Sequence, residues 1–177
     1  MKRSTDRILS SHIGSLPRTP EALKVLRIRH DGGNVDNQKF DSTIAAAVTE
    51  TVRRQANAGV TVVNDGEQGK WAYNAYLEDR FDGFELGPVS SGPRRGNIEA
   101  EAKDFPKYYE HWSYAEGTGT LLPHICTGPL SYRAKHEVDR DIANIKTAAA
   151  GLDVGDLFLS ALSPAMLWMQ FDPMLRT

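Results

Sequence analysis

The sequence predicts an α/β fold, and three observations around residues 40–67 carry this prediction. Apolar residues recur at every fourth position from Phe40 to Val52, which is the spacing of a helix that buries one face. Gly59 is suited to end that helix, and the next four residues, Val-Thr-Val-Val, are all β-branched, as in a buried parallel strand. Asn64–Glu67 then supplies a polar, turn-forming end. This order of helix, glycine, strand and turn is typical of α/β proteins.

The residues before this unit predict one more strand and one more helix. Ile8–Ser11 is a short run compatible with a β-strand. Thr19 can cap a helix whose first position is Pro20, because a proline there loses no hydrogen bond. We therefore expect a helix from Glu21 to about Arg29.

The second half of the chain predicts three further elements. Thr120–Cys126 has the composition of a third strand, which Thr127–Pro129 would close. Helical spacing of apolar residues over Val138–Leu152 predicts a helix that ends near Gly151. The same spacing over Val154–Leu162 predicts a shorter helix.

Other stretches are less regular. Residues 71–81 are aromatic and compatible with a helix, whereas residues 83–119 show no sustained period. A long irregular segment is unusual inside a compact domain, so we interpret 83–119 as an excursion from the main fold, such as a hairpin or a dimer contact. Residues 166–177 form a divergent tail. At 177 residues, the chain fits one domain, with boundaries 1–177.

Composition excludes several classes of function. The net charge of −2 gives no general attraction to nucleic acid or to an anionic membrane. No run of 18 apolar residues is present, so no transmembrane helix is expected, and the charged N-terminus lacks the apolar segment of a signal peptide. Cys126 is the only cysteine, so no internal disulfide can form. These features are typical of a cytoplasmic protein.

Candidate functional residues follow the first two predicted strands. His12–Ser15 follows the first strand and Asn64–Gln68 the second, and parallel strands in α/β folds carry active sites at their carboxyl ends. Gly14 allows a ligand to approach the backbone closely, and Ser15 offers a hydroxyl and an N–H. Glu67 offers a carboxylate that can bind an ammonium group by a charge-assisted hydrogen bond. This combination suits an amino acid better than a phosphate.

A second interpretation of the acidic turn involves no ligand. Asp65 and Glu67 could instead cap the helix that follows, because carboxylates stabilise helix N-termini. The residues alone leave both interpretations open.

A possible metal site is also visible in the sequence. His124 and Cys126 have the spacing of half a zinc site, since imidazole and thiolate both bind zinc well. No second cysteine completes the set, and a lone cysteine is more often a small apolar filler. We therefore assign no metal ligand in this chain.

Five segments, in order, resemble a known family. Residues 8–18 (Ile-Leu-Ser-Ser-His-Ile-Gly-Ser-Leu-Pro-Arg) resemble the start of the catalytic barrel of cobalamin-independent methionine synthases, and residues 63–68 resemble that family's second-strand motif. Residues 76–85 are similar to the segment that follows, and residues 127–131 are similar to the third-strand motif. Residues 158–165 resemble the short-chain branch of methionine synthase II-like proteins, which includes epoxyalkane:coenzyme M transferase.

The resemblance implies a fold and an activity. The fold would be the N-terminal part of an incomplete (β/α)₈ TIM-type barrel, and the activity zinc-dependent methyl or alkyl transfer to a thiol, as in methionine biosynthesis. The substrates implied are homocysteine or a similar small thiol and a methyltetrahydrofolate-like donor. Ile13, Gly14, Ser15 and Glu67 would bind the amino-acid part of homocysteine, with Glu67 on the ammonium and Ser15 on the carboxylate. His12 and Asp65 are the next candidates.

The resemblance also predicts what lies outside the chain. The family's zinc ligands, a His-x-Cys pair and a distant cysteine, lie on later strands, so zinc is expected to bind in a missing C-terminal part. An alternative function is therefore an inactive remnant or an interaction subunit that lacks the zinc-binding half. A partial barrel exposes strand edges and apolar faces, which predicts self-association. The sequence does not specify the thiol or the alkyl donor.

Overall fold

The structure, a computed structural model, describes residues 3–72, 80–86, 101, 103–108 and 124–165. These residues belong to two compact units. The first unit contains the described residues up to Arg80 together with Tyr132–Leu162, and the second contains those from Phe81 to Ser131 and from Ser163 onward. Each unit is described by itself.

Helix α1 of the first unit spans Pro20–His30 and begins where the sequence predicts. The Thr19 hydroxyl accepts a hydrogen bond from the backbone N–H of Ala22 at 3.2 Å, which satisfies one of the unpaired donors at the helix start. The predicted N-terminal helix is therefore confirmed.

Helix α2 spans Asn37–Asn57, and helix α3 spans Lys135–Ala149. Asp36 caps α2 by accepting a hydrogen bond from the N–H of Lys39 at 2.8 Å. The two helices pack against each other, and both predicted helices are confirmed. Their buried faces supply most of the core, which consists of Ala22, Val25, Leu26, Phe40, Ile44, Ala47, Val48, Val52, Val63, Ile145, Ala148 and Ala149.

Strands β1, Val62–Asn64, and β4, Asp156–Phe158, form a parallel pair. Val63 lies opposite Leu157 in this pair. The predicted first strand is reduced to one parallel bridge between Ser11 and Val62. Ile8, at the start of that predicted strand, is 91% exposed and packs in no core.

The helix predicted over Val154–Leu162 is wrong, because strand β4 lies within it. Two backbone hydrogen bonds explain the difference: Gly155 N–H donates to the Thr61 carbonyl at 2.7 Å, and β4 pairs with β1. Apolar residues at helical spacing also fit a short strand that is partly buried on both faces. Tertiary pairing decides between the two structures here.

Strands β2, Phe81–Leu86, and β3, His124–Tyr132, pair with each other, and apart from Tyr132 they belong to the second unit. The prediction that Thr127–Pro129 closes the third strand is wrong, because β3 continues through these residues. Residues 120–123 of the predicted strand lie outside the described residues.

Several other predicted segments are covered only in part. Residues 83–86, at the start of the segment predicted to be irregular, belong to β2, and most of the remainder to residue 119 lies outside the described residues. The helix-compatible stretch 71–81 is described only at its ends, and the tail 166–177 lies outside the described residues.

The described elements form a mixed α/β structure, as predicted. The strands of the described residues form two small sheets and no closed barrel. None of the helices in the described part of the chain is both long enough and apolar enough to cross a lipid bilayer.

Candidate functional site

Three chain segments bring polar side chains to one place in the first unit. Residues 12–18 follow the bridge at Ser11, residues 65–70 follow β1, and residues 159–160 follow β4. Because the paired segments are parallel, their carboxyl ends lie at the same edge of the sheet. The three ends meet at the side chain of Glu67.

The carboxylate of Glu67 accepts hydrogen bonds from two serines. The Ser15 hydroxyl donates to Oε2 at 2.6 Å, and the Ser160 hydroxyl donates to Oε1 at 2.9 Å. Glu67 is buried, whereas Ser15 is exposed. Each carboxylate oxygen still has one lone-pair direction for a further donor. We call Ser15, Glu67 and Ser160 the carboxylate cluster.

The backbone that presents Glu67 is unusual. Gly66 and Glu67 have φ angles of 60° and 57°, which is the left-handed region. This region costs a residue with a side chain about 1–2 kcal/mol. Asn64 compensates through its side chain, which donates to the His12 carbonyl and accepts from the Gly66 N–H at 2.7 Å. The strained turn is therefore tied to the first segment.

Two basic side chains, those of Arg18 and Lys70, form hydrogen bonds that hold the turn in place. Arg18 Nη2 donates to the backbone carbonyls of Glu67 at 3.0 Å and of Lys70 at 2.6 Å. Lys70 Nζ donates to the Ser160 carbonyl at 2.7 Å. Lys70 and Glu67 thus both bond Ser160, one through its carbonyl and the other through its hydroxyl.

The electrostatics of the site keep Glu67 ionised. Burial alone would raise the pKa of Glu67, but the hydrogen bonds from Ser15 and Ser160 and the charges of Lys70 and Arg18 outweigh it, so this pKa lies below its ordinary value.

The two other shifted groups of the site respond mainly to burial. It raises the pKa of the Asp65 carboxyl, against the opposing charge of Lys70. It lowers the pKa of Arg18, against the charges of Glu67 and Asp65. Within this setting, the ionised carboxylate of Glu67 can accept a cationic group of a ligand.

A cavity of about 410 Å³ lies next to the carboxylate cluster. Its volume is in the range of small-molecule sites. Its walls are mainly apolar side chains from α3 and β4, with four charged side chains and Ser160. The lining residues are Asp65, Lys70, Arg80, Val138, Asp141, Ile142, Ile145, Leu157, Phe158, Leu159, Ser160 and Ala161.

The structure brings together some of the predicted site residues and separates others. Ser15 and Glu67 are in direct contact. Gly14 has a φ of 94°, and its carbonyl oxygen is hydrogen-bonded to Nε2 of His12 at 3.1 Å. The Ile13 side chain is 76% exposed and has no hydrogen-bonding group, so its backbone and apolar surface are what it can offer a ligand.

The side chain of Asp65 forms a hydrogen bond with the backbone of its own turn. Its Oδ1 accepts a hydrogen bond from the N–H of Glu67 at 3.1 Å, two residues later, which stabilises the turn itself. The Glu67 carboxylate instead receives the two serine hydroxyls. A helix after this turn would fall on residues 73–79, which lie outside the described residues.

Sequence reasoning missed three residues of the site, namely Arg18, Lys70 and Ser160. Ser160 follows a parallel strand, the same signal that identified Ser15 and Glu67, but the helix predicted over Val154–Leu162 hid that strand end. Arg18 and Lys70 act through backbone carbonyls, which no side-chain motif reveals.

The predicted half zinc site lies in the second unit. His124 is buried, with its ring edge-on to that of Phe84 at 4.9 Å. Cys126 is exposed and donates to the Gly128 carbonyl at 3.3 Å, so it does not serve as a small apolar filler. In the part of the chain that the structure describes, no three His, Cys, Asp or Glu residues are grouped to hold a metal ion. Within the described residues, His124 and Cys126 therefore lack the further ligands that a zinc site needs.

Comparison with known proteins adds an independent observation. No protein-family profile matches the chain. It is 25% identical to a methionine synthase of Thermococcus kodakarensis and to one of Pyrococcus furiosus, in both cases over 89% of this chain and 52% of the relative. The chain is similar to methionine synthases. It spans about half the length of these two relatives.

A third relative matches a shorter part of the chain. The 5-methyltetrahydropteroyltriglutamate–homocysteine methyltransferase of Aeromonas salmonicida is 31% identical over 74 residues, which are 42% of this chain and 10% of the relative. Its name, like those of the two methionine synthases, agrees with the family that the sequence motifs resemble.

Proposed function

We propose that this chain carries the amino-acid-binding part of a methionine-synthase-type site, in which a methyl group is transferred to the thiol of homocysteine. The observation that carries the proposal is the carboxylate cluster, in which residues from three segments meet at one ionised carboxylate. The likeness to methionine synthases supports it. The three parallel segments would be the opening strands of a (β/α)₈ barrel.

Glu67 would bind the substrate ammonium. Its pKa is lowered, so it is ionised at neutral pH, and each of its oxygens has one lone-pair direction left after the bonds from Ser15 and Ser160. A charge-assisted hydrogen bond from an ammonium is strong at such a partly desolvated site.

Ser15 would contact the substrate carboxylate through its backbone N–H. Its hydroxyl proton is donated to Glu67 and cannot serve a second acceptor. Gly14 has no side chain, so a carboxylate can approach this part of the backbone. Of the two groups that Ser15 offers, the hydroxyl and the N–H, the proposal therefore uses the N–H for the substrate carboxylate.

The remainder of the substrate would extend from this anchor toward the neighbouring cavity. Ser160 and Asp65 border that cavity, and its apolar walls suit the methylene chain of an amino-acid thiol. In the reaction, the sulfur would form a bond to the methyl carbon as the donor's bond to that carbon breaks; the electron pair of the broken bond stays on the donor, which takes up the proton that the thiol releases. The described residues position the substrate for this step and do not themselves exchange the methyl group.

Calorimetric titration of the 177-residue chain tests this proposal. We expect L-homocysteine to bind, and N-acetyl-homocysteine, which has no ammonium, to bind at least about tenfold more weakly, a difference of roughly 1.4 kcal/mol. 2-Mercaptoethanesulfonate serves as a thiol that has an anionic group and no ammonium. Stronger binding of the sulfonate than of homocysteine would contradict the role of Glu67.

An assay of methionine formation, with a methyltetrahydrofolate donor added to the same samples, separates enzyme from binding subunit. Turnover would show that the chain acts as a transferase. Binding of homocysteine without turnover would favour the alternative of an interaction subunit.

A further inference from the structure

Arg18 is attached to the turn of Glu67 in a specific way. One nitrogen, Nη2, donates to two carbonyls at 3.0 Å and 2.6 Å, those of Glu67 and Lys70. An Nη atom carries two hydrogens, so each carbonyl can receive one. The Glu67 carbonyl also accepts from the N–H of Lys70 at 3.1 Å. Arg18 therefore bonds to both ends of the turn that carries the carboxylate.

This turn needs an external constraint. Glu67 has a φ of 57°, a left-handed conformation that a residue with a side chain adopts only where its surroundings enforce it. Rotation of Glu67 to an ordinary φ would carry its carboxylate away from Ser15 and Ser160. This rotation about the N–Cα bond of Glu67 would also displace the Glu67 carbonyl relative to the Lys70 carbonyl, and because Arg18 binds both carbonyls, the guanidinium resists it.

We propose that Arg18 is a positioning residue, which holds the backbone of Glu67 in the conformation that presents its carboxylate to Ser15, Ser160 and the ligand. The presentation to ligand rests on the proposed function, whereas the presentation to the serines does not. Arg18 itself touches no reacting atom.

The titration of Glu67 reports its position without any substrate. Hydrogen bonds from Ser15 and Ser160 help to lower the pKa of Glu67, so a displaced carboxylate titrates at higher pH. The measurement is carbon-13 NMR of the chain labelled at the glutamate side-chain carboxyl, with the Glu67 resonance assigned by its loss in Glu67→Gln.

Three variants separate position from charge. Arg18→Met removes both the anchor and the charge. Arg18→Lys keeps the charge, but its side chain is one bond shorter and cannot reach both carbonyls without a backbone shift. Arg7→Met removes a charge from an exposed residue of the same N-terminal segment and is the matched control.

We expect the Glu67 midpoint to move to higher pH in Arg18→Met and in Arg18→Lys, and to stay unchanged in Arg7→Met. A wild-type midpoint in a folded Arg18→Lys would show that only charge matters and would overturn the proposal. If Arg18→Met does not fold, the Glu67 midpoint in Arg18→Lys still tests the proposal. Homocysteine binding by the wild-type chain is measured separately, so failure of the proposed function is distinguishable from failure of this inference.

Discussion

The hydroxyl of Ser15 donates a hydrogen bond of 2.6 Å to Oε2 of Glu67, from a position 52 residues earlier in the chain. The contact joins the end of the first segment to the end of β1. Ser160 completes the arrangement from the end of β4, at 2.9 Å from Oε1. The hydrogen bonds to this carboxylate therefore link three parts of the chain that lie far apart in sequence.

Ser160→Ala should destabilise the folded chain in a pH-dependent way. A hydrogen bond to a charged group contributes roughly 1.5–3 kcal/mol, so we expect a loss of about that size in the free energy of unfolding at pH 7. The pKa of Glu67 is lowered in the folded state, so its stabilisation is present above the unfolded pKa and disappears as pH falls through the folded pKa. The difference between variant and wild type should therefore shrink in acid.

Urea unfolding at several pH values measures this effect. Ser42→Ala is the control, because the exposed Ser42 hydroxyl donates only to the Lys39 carbonyl of its own helix. A deficit for Ser160→Ala that is the same at all pH values would mean that its bond to Glu67 is not the cause.

Gly66→Ala should destabilise the turn for two reasons. Gly66 has a φ of 60°, and an added Cβ would lie 2.7 Å from Cγ2 of Thr51 and 3.1 Å from Cβ of Leu16. Gly32→Ala isolates the first reason, because Gly32 has a φ of 76° and an added Cβ would meet no atom within 4 Å. We expect about 1–2 kcal/mol for Gly32→Ala and a further 1–3 kcal/mol or so for Gly66→Ala. If chemical denaturation shows equal losses of unfolding free energy for the two variants, the residues around Gly66 move to make room for the added methyl group.

Asp141→Asn should be among the most destabilising conservative changes in the first unit. Asp141 and Arg80 form an ion pair of 2.6 Å whose side chains are only 10% and 6% exposed. Loss of the negative charge breaks this buried pair and the 3.2 Å pair of Asp141 with Arg140, which costs about 3–5 kcal/mol.

The control for Asp141→Asn is Asp139→Asn, which breaks a pair with Lys135 in which both side chains are at least 60% exposed. That change should cost far less, because water screens an exposed pair. Similar unfolding midpoints for the two variants would contradict the importance of burial for this pair.

Helices α1, α2 and α3 could be predicted from the sequence, because the residues within and next to each helix carry the signals for it. Thr19 and Asp36 cap helices from within a few residues, and the apolar spacing of α2 and α3 defines the buried faces. Local signals of this kind depend little on the rest of the chain.

The strands were harder to predict because pairing between distant residues determines them. Residues 156–158 have apolar neighbours at helical spacing, yet they pair with β1, which precedes them by more than 90 residues. The same long-range pairing brings Ser160 to Glu67, so the error about β4 also concealed one member of the site. Arg18 was missed because its partners are backbone carbonyls, which have no sequence signature.

The central claim is that the carboxylate of Glu67 receives the ammonium group of an amino-acid thiol. The most direct test is the dissociation constant of L-homocysteine, measured by calorimetry for the wild-type chain, for Glu67→Gln and for Glu50→Gln, whose carboxylate pairs with Arg53 and Arg54 on the surface of α2. We predict that Glu67→Gln weakens binding by more than about tenfold, or roughly 1.4 kcal/mol, and that Glu50→Gln leaves it unchanged. Wild-type affinity in a folded Glu67→Gln variant would contradict the claim.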